Sequence, residues 1–346
     1  AGDRIGRHVL EAFAANGAVQ CGFCTPGFVL STCALLAETP APAVGEIRQA
    51  LAGNLCRCTG SKKIIEAVVA AGDRVARELR PADPGRPRPQ PVSAPGFVRP
   101  ESLAGALALL ARGGDWQLLS GGTDAAVQFE HQLEDRRWLD LGGLAELQGI
   151  SETGQAVTIG GGVRYTDLIR SEPVRHWARP LVEAARQVGS TQIRNMGTLA
   201  GNLANGSPAA DLVPALAVLD ALAVLRSASG ERRVPVVELA TGPGQTVIAP
   251  DEILTRVVIP KTGAPPNEAS QEIAFFEKLG PRQAQTIAIA TVALRGWLDR
   301  GPGRLRAVRV ALGAVAPTVL LASRTTGHLL ACLLYTSDAA DDAMNV

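Results

Sequence analysis

Four of the six cysteines form two closely spaced pairs, and this spacing constrains the fold more than any other feature of the chain. The stretch QCGFC contains Cys21 and Cys24, and the stretch NLCRC contains Cys56 and Cys58. Thiols this close together in a chain of this size are typical of metal binding in a reducing compartment, rather than of a disulfide framework. The pairs therefore predict a small metal-binding module at the beginning of the sequence.

Two kinds of metal centre accept four thiolates. Zinc binds them in a tetrahedron and then has a structural role, whereas a [2Fe–2S] cluster takes two thiolates on each iron. A Cys-x-Cys pair is awkward for one small ion and suits ligands that are divided between two irons, so the spacing favours the cluster. A zinc-bound interaction module remains the alternative. Cys33 lies outside both pairs and is predicted to be a small core residue.

Residues 1–79 have the apolar periodicity of helices. Gly17 is predicted to end the first helix, and Thr25 is predicted to cap the second, with Pro26 in its first turn. The cysteine pairs fall on the turns between helices. Four segments carry the helical pattern: DRIGRHVLEAFAANG, TPGFVLSTCALLAE, AVGEIRQALAGN and SKKIIEAVVAAGDRVARELR.

The remainder of the chain predicts a different architecture. Residues 80–96 are rich in proline and predict an extended linker. Residues 97–263 alternate short strands, glycine turns and helices, which predicts an α+β domain in which Thr166 caps one helix. Residues 264–330 predict a further α+β subdomain, with a boundary near residue 267. The fold class is therefore multidomain, a helical domain followed by α+β domains.

The composition excludes several classes of partner. A hydrophobic content of 46% with 19% charged residues describes a globular protein, and a net charge of +1 produces no field that would attract nucleic acid or an anionic membrane. No apolar run has the length of a membrane span, and the opening residues lack the pattern of a signal peptide. We therefore expect a cytoplasmic protein with neither a nucleic-acid nor a membrane partner.

Two glycine-rich stretches lead into predicted helices. LLSGGTDAA, residues 118–126, follows a predicted strand, and its small residues allow a ligand to approach backbone N–H groups that attract phosphate. GSTQIRNMGTLAGNLANGSPAAD, residues 189–211, precedes a helix that Ser207 and Pro208 are expected to cap, and its amides can wrap a polar ligand. The sequence contains neither a Rossmann fingerprint nor a Walker A motif. The two stretches predict a polar, phosphate-bearing ligand.

The cysteine stretches resemble a known domain. QCGFCTPGFVLS and GNLCRCTG are similar to the helical [2Fe–2S] domain of the molybdenum hydroxylases, the family of xanthine dehydrogenase, aldehyde oxidase and their bacterial relatives. The resemblance includes the order of the pairs, the TPG after the first and the TG after the second. It implies that Cys21, Cys24, Cys56 and Cys58 bind the cluster. Gln20 is either a solvated surface residue or, as the resemblance implies, a residue that meets the molybdopterin of a partner.

The glycine stretches resemble the flavin domain of the same family, which has the PCMH-type FAD-binding fold shared with vanillyl-alcohol-oxidase-like flavoproteins. The resemblance implies that FAD contacts both stretches, with Asp211 near its sugar or ring and Lys278 near its isoalloxazine. IGGGV, residues 159–163, is interpreted as a structural turn. The implied FAD contacts are Leu118, Leu119, Ser120, Gly121, Gly122, Thr123, Asp124, Ala125, Thr198, Gly201, Asn202, Asn205, Asp211 and Lys278.

The order of cluster domain, linker and flavin domain resembles the small iron–sulfur/FAD subunit of bacterial xanthine dehydrogenases. This resemblance implies a hetero-oligomer in which a molybdopterin-binding large subunit oxidises xanthine or hypoxanthine in purine catabolism. Electrons would then pass through [2Fe–2S] and FAD to NAD, and no side chain of this chain would act as acid, base or nucleophile. The alternatives are another N-heterocycle hydroxylase, an aldehyde oxidase or a carbon monoxide dehydrogenase, and the fused domain order argues against the last.

Three departures from the family pattern stand out. The ferredoxin-like domain that would carry four further cysteines is absent, so one cluster is expected. KLGPRQAQ, which contains Lys278, departs from the xanthine dehydrogenase pattern and is closer to hydroxylases whose modules are separate chains. Residues 331–346, including Cys332, do not resemble the family. They are expected to be a non-native tail on a truncated C-terminal subdomain.

Overall fold

The structure of the chain is a computed structural model, and it describes residues 2–78, 90–261, 270–282, 285–299 and 304–331. The chain divides into two compact units. The first, the helical unit, comprises Ala1–Arg88 with Gly189–Ile193, and the second, named the flavin unit after the resemblance given above, comprises Pro89–Val188 with Arg194–Val346. Most of the predicted linker, the predicted boundary near residue 267, Cys332 and the rest of the tail lie outside the described residues.

Four helices occur in the described part of residues 1–79, as the periodicity predicts. They are α1 (Gly2–Ala15), α2 (Thr25–Glu38), α3 (Val44–Ala50) and α4 (Lys62–Glu78). Their apolar faces meet in a core in which Phe13, Phe28, Leu36, Ile47 and Ile64 are at most 2% exposed. Burial of these large side chains is the main force that holds the four helices together.

The sequence predicts the C-terminal end of α1 correctly and the N-terminal end of α2 incorrectly. Gly17 adopts a left-handed φ of 59° just after α1, and the N–H of Ala18 donates to the carbonyl of Phe13 at 3.0 Å, which is the expected glycine-terminated end. Thr25 is not a cap. The helix starts one residue earlier than predicted, because the carbonyl of Cys24 already accepts the N–H of Phe28 at 3.2 Å, while Pro26 lies in the first turn as expected.

The flavin unit contains fifteen strands in four sheets among its described residues. The strands are β1 (Val92–Ala94), β2 (Phe97–Arg99), β3 (Trp116–Leu119), β4 (Arg137–Asp140), β5 (Ile150–Glu152), β6 (Ala156–Gly160), β7 (Leu222–Ser227), β8 (Gly230–Pro235), β9 (Ala240–Gly242), β10 (Gln245–Thr246), β11 (Ile253–Pro260), β12 (Ser270–Leu279), β13 (Ala290–Asp299), β14 (Arg304–Gly313) and β15 (Leu320–Leu321). The sheets have the orders β1-β2-β4-β3, β5-β6-β11-β7-β8, β10-β9 and β12-β13-β14-β15. In the first sheet β4 pairs in parallel with both β2 and β3.

Ten further α-helices occur among the described residues after α4. They are α5 (Leu103–Ala111), α6 (Ala125–Gln128), α7 (Tyr165–Arg170), α8 (Glu172–Trp177), α9 (Arg179–Gln187), α10 (Thr191–Met196), α11 (Leu199–Ala204), α12 (Leu212–Ala217), α13 (Val236–Leu239) and α14 (Ser323–Ala331). The first residues of α10 belong to the helical unit by the division given above.

One large core joins the five-stranded sheet to the last sheet. Val157, Ile159 and Val257 of the five-stranded sheet belong to it, and so do Phe276 and Ala293 of β12 and β13. β12 packs on α9, and β14 packs on α12. The segment predicted as a separate C-terminal subdomain therefore shares its core with residues 97–263.

Three local predictions in the flavin unit were wrong. Residues 92–94, predicted as part of the linker, form β1 and pair with β2. Thr166 is not a cap, because α7 begins at Tyr165 and the Thr166 hydroxyl donates to Oδ1 of Asn195 at 2.6 Å. Ser207 and Pro208 also do not cap α12, which begins at Leu212; the Ser207 hydroxyl accepts the N–H of Ala209 at 3.3 Å instead.

None of the helices in the described ranges combines the length and the apolarity that crossing a bilayer requires.

Candidate functional site

The two cysteine pairs lie together in the helical unit. Cys21 and Cys24 occupy the turn between α1 and α2, and Cys56 and Cys58 occupy the turn between α3 and α4. The Cys21 thiol lies within hydrogen-bonding reach of Cys58, and the Cys24 thiol lies within reach of Cys56. Each contact therefore joins one member of the first pair to one member of the second.

Hydrogen bonds give the four thiols different acidities. The hydroxyl and N–H of Thr59 lower the pKa of Cys56 to about 7, which favours the thiolate that a metal requires. The N–H of Phe23 and, to a lesser extent, Cys58 lower the pKa of Cys21. The pKa of Cys58 is raised because its thiol donates to Cys21, and burial raises the pKa of Cys24.

The arrangement fits a two-iron cluster. A tetrahedral zinc site needs four donors around a single point, whereas a [2Fe–2S] cluster needs two pairs of thiolates. The pairwise contacts of Cys21 with Cys58 and of Cys24 with Cys56 match the second requirement.

Of the other residues near the cysteine pairs, Gln20, Phe23 and Leu55 are exposed, and Cys33 lies at the edge of the helical core. Gln20 is exposed beside Cys21. Phe23 is 95% exposed and Leu55 is 83% exposed, so large apolar side chains flank the thiols on both turns. Cys33 is half-buried against the helical core, as predicted, and this burial raises its pKa.

In the flavin unit, the two glycine stretches contact each other. β3 carries Leu118 and Leu119, and the loop that follows it leads into α6 at Ala125. A Cβ on Gly121 would overlap the backbone of the second stretch, lying 2.7 Å from the carbonyl carbon of Met196 and 2.9 Å from Cα of Gly197. Only glycine allows this approach, so the predicted loops form one site.

A side chain outside the predicted set also bridges the stretches. Nε2 of Gln128 donates to Oδ2 of Asp124 at 2.5 Å and to Oδ1 of Asn205 at 3.1 Å. The same bridge holds the predicted residues Asp124 and Asn205 on one side of the site.

The predicted residues of the second stretch have distinct roles. The Thr198 hydroxyl caps α11 by accepting the N–H of Gly201 at 3.2 Å. Asn202 follows in α11, and its Oδ1 is buried with no hydrogen-bond partner in the part of the chain that the structure describes. Such an acceptor costs free energy unless a ligand satisfies it.

Lys278 of β12 meets Asp211 in the interior. Nζ of Lys278 lies 2.6 Å from Oδ2 of Asp211, and the two side chains are 3% and 7% exposed. Lys278 also donates to the carbonyl of Gln187 at 3.3 Å. Burial raises the pKa of Asp211, and the charge of Lys278 opposes this rise. Oδ1 of Asp211 is buried and has no partner among the described residues.

Tyr165 belongs to this group of polar side chains, although the sequence did not indicate it. Its side chain is buried at 5% exposure. Burial raises the pKa of Tyr165 to about 12, the Asn202 amide opposes the rise by donating to the hydroxyl, and the charges of Asp211 and Asp124 add to it. A tyrosine at the start of a helical pattern is ordinarily a core residue, so only the fold reveals the contact.

The IGGGV segment is a packing turn, as interpreted. A Cβ on Gly160 would overlap the carbonyl of Leu147, and a Cβ on Gly161 would overlap the carbonyl of Leu254. The N–H of Gly161 donates to the carbonyl of Thr255 at 2.8 Å, so this donor serves the fold rather than a ligand.

Two observations indicate that the residues of the flavin unit are suited to bind FAD. The close approach at Gly121 brings two glycine-rich loops together, and backbone N–H groups of such loops are suited to bind a diphosphate. The unsatisfied oxygens of Asn202 and Asp211 are acceptors for the N–H or hydroxyl groups of a polar ligand. The part of the chain that the structure describes thus provides both a phosphate cradle and buried acceptors.

Comparisons with known proteins agree with this geometry. Residues 91–262 match the family model described as the FAD-binding domain in molybdopterin dehydrogenase, and residues 2–69 match the [2Fe–2S]-binding domain. The chain is 34% identical to the putative xanthine dehydrogenase FAD-binding subunit of Escherichia coli strain K12, over 64% of this chain and 74% of that protein.

Two further relatives extend the match. Aldehyde oxidase 4 of Cavia porcellus is 28% identical over 93% of the chain, and the chain spans only 28% of the length of that protein. The structure of a carbon monoxide dehydrogenase from Hydrogenophaga pseudoflava that lacks the Mo-pyranopterin moiety of its cofactor superposes with a TM-score of 0.62. It is 30% identical and covers 70% of this chain and 82% of its own.

The helical and flavin units together define an iron–sulfur flavoprotein of the oxidoreductase class, with one [2Fe–2S]-binding and one FAD-binding domain. The chain belongs to the molybdenum hydroxylase family and represents its iron–sulfur and FAD-binding part.

Proposed function

We propose that the chain is the electron-transfer subunit of a molybdenum hydroxylase. Electrons would arrive from a molybdopterin site on a partner subunit and pass by way of [2Fe–2S] and FAD to NAD. The pairing of the four thiols across two turns, in one chain with a diphosphate cradle, carries the proposal.

The chain's own residues would hold the two groups and shape their surroundings. Cys21 and Cys24 from one turn and Cys56 and Cys58 from the other would bind the cluster. The loop from Leu118 to Ala125 would receive the diphosphate of FAD, and Thr198, Gly201, Asn202, Asn205, Asp211 and Lys278 would surround its remaining parts. The redox chemistry belongs to these groups when they are bound. The polypeptide holds them and sets their electrostatic environment.

A molybdopterin-binding large subunit is the proposed partner, in a hetero-oligomer. Cys21 and Cys58 are exposed, so a cluster on these thiols would lie at the surface. The exposed apolar side chains Phe23 and Leu55 beside them are a composition typical of protein interfaces. Gln20 would lie on the same face.

We propose xanthine or hypoxanthine as the substrate of the complex, in the cytoplasm and in purine catabolism. The identity of 34% to the Escherichia coli protein over 74% of its length supports this choice. Aldehyde oxidase and carbon monoxide dehydrogenase are also relatives, so the match does not depend on the substrate. The substrate would be selected on the partner.

The first experiment is the visible absorption spectrum of the anaerobically purified chain, before and after addition of dithionite. A red-brown protein that bleaches, with flavin bands beneath, is the expected result. A colourless protein that contains zinc and no labile sulfide would replace the proposal with a zinc-bound interaction module.

The substrate is tested in the complex. The chain would be co-produced with a molybdopterin-binding large subunit, and reduction of NAD would be followed with xanthine, hypoxanthine, an aldehyde, an N-heterocycle and carbon monoxide in turn. Turnover of xanthine with NAD is expected. Turnover of another substrate alone would replace the proposed substrate and leave the electron-transfer role intact.

A further inference from the structure

Thr59 makes two hydrogen bonds to one cysteine of the proposed cluster site. Its Oγ1 lies 3.1 Å from Sγ of Cys56, and its N–H donates to the same sulfur at 3.3 Å. Both groups belong to the turn between Cys58 and α4. Cys56 therefore has a hydroxyl partner in addition to a backbone donor.

A third residue also contacts the Thr59 hydroxyl, and ligation of Cys56 sets the direction of the bond to the sulfur. The N–H of Ser61 donates to Oγ1 of Thr59 at 3.1 Å, which occupies one lone pair of the oxygen and leaves its proton available for the sulfur. A metal-bound thiolate has no proton, so Thr59 must be the donor when Cys56 is a ligand.

The backbone conformation of this turn accounts for the contact between Ser61 and Thr59. Gly60 has φ of 60° and Ser61 has φ of 66°, so two consecutive residues adopt the left-handed region. A serine rarely does so, and strain of this kind persists where the surrounding structure enforces it. The two left-handed residues turn the chain back so that the N–H of Ser61 reaches Thr59.

The hydroxyl donor distinguishes Cys56 from the other thiols. The Cys21 thiol is reached by the N–H of Phe23 and by Cys58, and Cys24 is reached by Cys56. Within the described residues, the hydrogen bonds recorded for Cys21, Cys24 and Cys58 include no hydroxyl donor. The hydrogen bonding of the four thiols is therefore asymmetric.

We propose that Thr59 is a positioning residue that raises the reduction potential of the [2Fe–2S] cluster by donating its hydroxyl proton to the sulfur of Cys56. Reduction adds one electron to the cluster and so increases the negative charge on its thiolate ligands, and a donor aimed at such a ligand stabilises the reduced form more than the oxidised form. Hydrogen bonds to the sulfurs are among the features that set cluster potentials. This inference rests on the proposed role of Cys56 as a ligand.

The test is a spectroelectrochemical titration of the cluster in the full chain. Thr59→Val keeps the shape and the backbone N–H but removes the hydroxyl, and Thr59→Ser is the matched control that keeps it. We expect Thr59→Val to lower the midpoint potential, with about a tenfold change in the ratio of oxidised to reduced cluster, equivalent to about 59 mV for one electron. Thr59→Ser should titrate like the wild type.

The outcomes separate this inference from the proposed function. An intact cluster with an unchanged potential in Thr59→Val would overturn the role of Thr59 and leave cluster binding untouched. A wild-type spectrum in Cys56→Ser would instead overturn the ligand assignment. If neither Thr59→Val nor Thr59→Ala retained a cluster while Thr59→Ser did, the hydroxyl would serve assembly rather than the potential, and the inference would also fall.

Discussion

Lys278 and Asp211 form an ion pair inside the flavin unit, with Nζ 2.6 Å from Oδ2 and with side chains that are 3% and 7% exposed. The pair joins β12 to the end of the second glycine stretch. Each charge loses most of its hydration there, so each depends on the other for its stabilisation. Oδ1 of Asp211 has no partner among the described residues, which leaves one acceptor of the pair for a ligand.

Lys278→Met should destabilise the flavin unit. The substitution leaves the Asp211 carboxylate buried without its cation, and breaking a buried pair in this way costs about 3–5 kcal/mol. The free energy of unfolding can be followed in urea by tryptophan fluorescence without FAD, because all four tryptophans lie in this unit. The control is Arg179→Met, which removes a pair with Glu183 whose arginine is 66% exposed and should cost about 1 kcal/mol or less. Equal losses in the two variants would contradict the prediction.

The loss in Lys278→Met should depend on pH. Burial already raises the pKa of Asp211, and removal of Lys278 removes the attraction that opposes this rise. A carboxyl whose pKa is higher in the folded state contributes stability that is full below its unfolded pKa of about 3.9 and is lost as the pH rises through the folded pKa. The deficit relative to the wild type should therefore be largest near neutral pH and shrink on acidification. A deficit that stays constant between these conditions would argue against a charged Asp211.

Gly121→Ala should weaken FAD binding. The added Cβ would overlap the carbonyl of Met196 and force the two glycine stretches apart. Overpacking costs about 1–3 kcal/mol, which corresponds to roughly a fivefold to hundredfold rise in the Kd for FAD. Fluorescence quenching of FAD during titration measures the affinity.

Gly105→Ala is the matched control for that variant. Gly105 lies within α5, and a Cβ there would meet the Ser102 hydroxyl oxygen at 3.4 Å, an ordinary contact. Alanine is also the better helix former, so stability should be unchanged or higher. Normal FAD affinity in both variants would show that the approach at Gly121 does not form the cradle.

Tyr165→Phe should lower FAD affinity while the fold is retained. The phenyl ring preserves the packing, but the Asn202 amide loses the hydroxyl to which it donates and is less firmly oriented. The net value of one such hydrogen bond is about 0.5–1.5 kcal/mol, so the Kd for FAD should rise roughly twofold to tenfold. Tryptophan fluorescence in urea serves as the check on folding. A changed unfolding midpoint with unchanged FAD affinity would assign Tyr165 a structural role alone.

Cys56→Ser should prevent assembly of a normal cluster, and Cys33→Ser should not. Cys56 has the more acidic thiol and contacts Cys24, whereas Cys33 packs half-buried against the helical core. Iron and labile sulfide content together with the visible spectrum distinguish the variants. Retention of a full iron and sulfide complement in Cys56→Ser would remove this residue from the ligand set.

The sequence predicts best the features that depend on neighbouring residues. The turn positions of Cys21 and Cys24 follow from the helical pattern on either side. The glycine loop after a strand predicted the approach of a ligand, whereas the packing of Gly121 against the backbone of Met196 was not predicted. The Thr25 cap failed because threonine preference cannot locate the first helical carbonyl, which belongs to Cys24. The order of the helical and α+β segments was confirmed in the described residues.

Contacts between residues that are far apart in the sequence could not be predicted from the sequence pattern. Lys278 and Asp211 are 67 positions apart, and their resemblance to family residues predicted that both contact FAD but not that they pair with each other. Tyr165 could not be distinguished from a core tyrosine, because its partner Asn202 belongs to another helix. Thr59 belongs to the TG of the second cysteine motif, but its contact with Cys56 depends on the backbone conformation of the turn at Gly60 and Ser61.

The core that β12, β13 and β14 share with the five-stranded sheet predicts how the flavin unit behaves when its chain is cleaved. Phe276 of β12, Ala293 of β13 and Ala311 of β14 are at most 2% exposed in the same cluster as the five-stranded sheet. The N–H of Ala314 also donates to the carbonyl of Pro208 at 2.9 Å. Two fragments produced by cutting the chain between residues 261 and 270 should therefore complement each other and remain associated, with neither half stable alone.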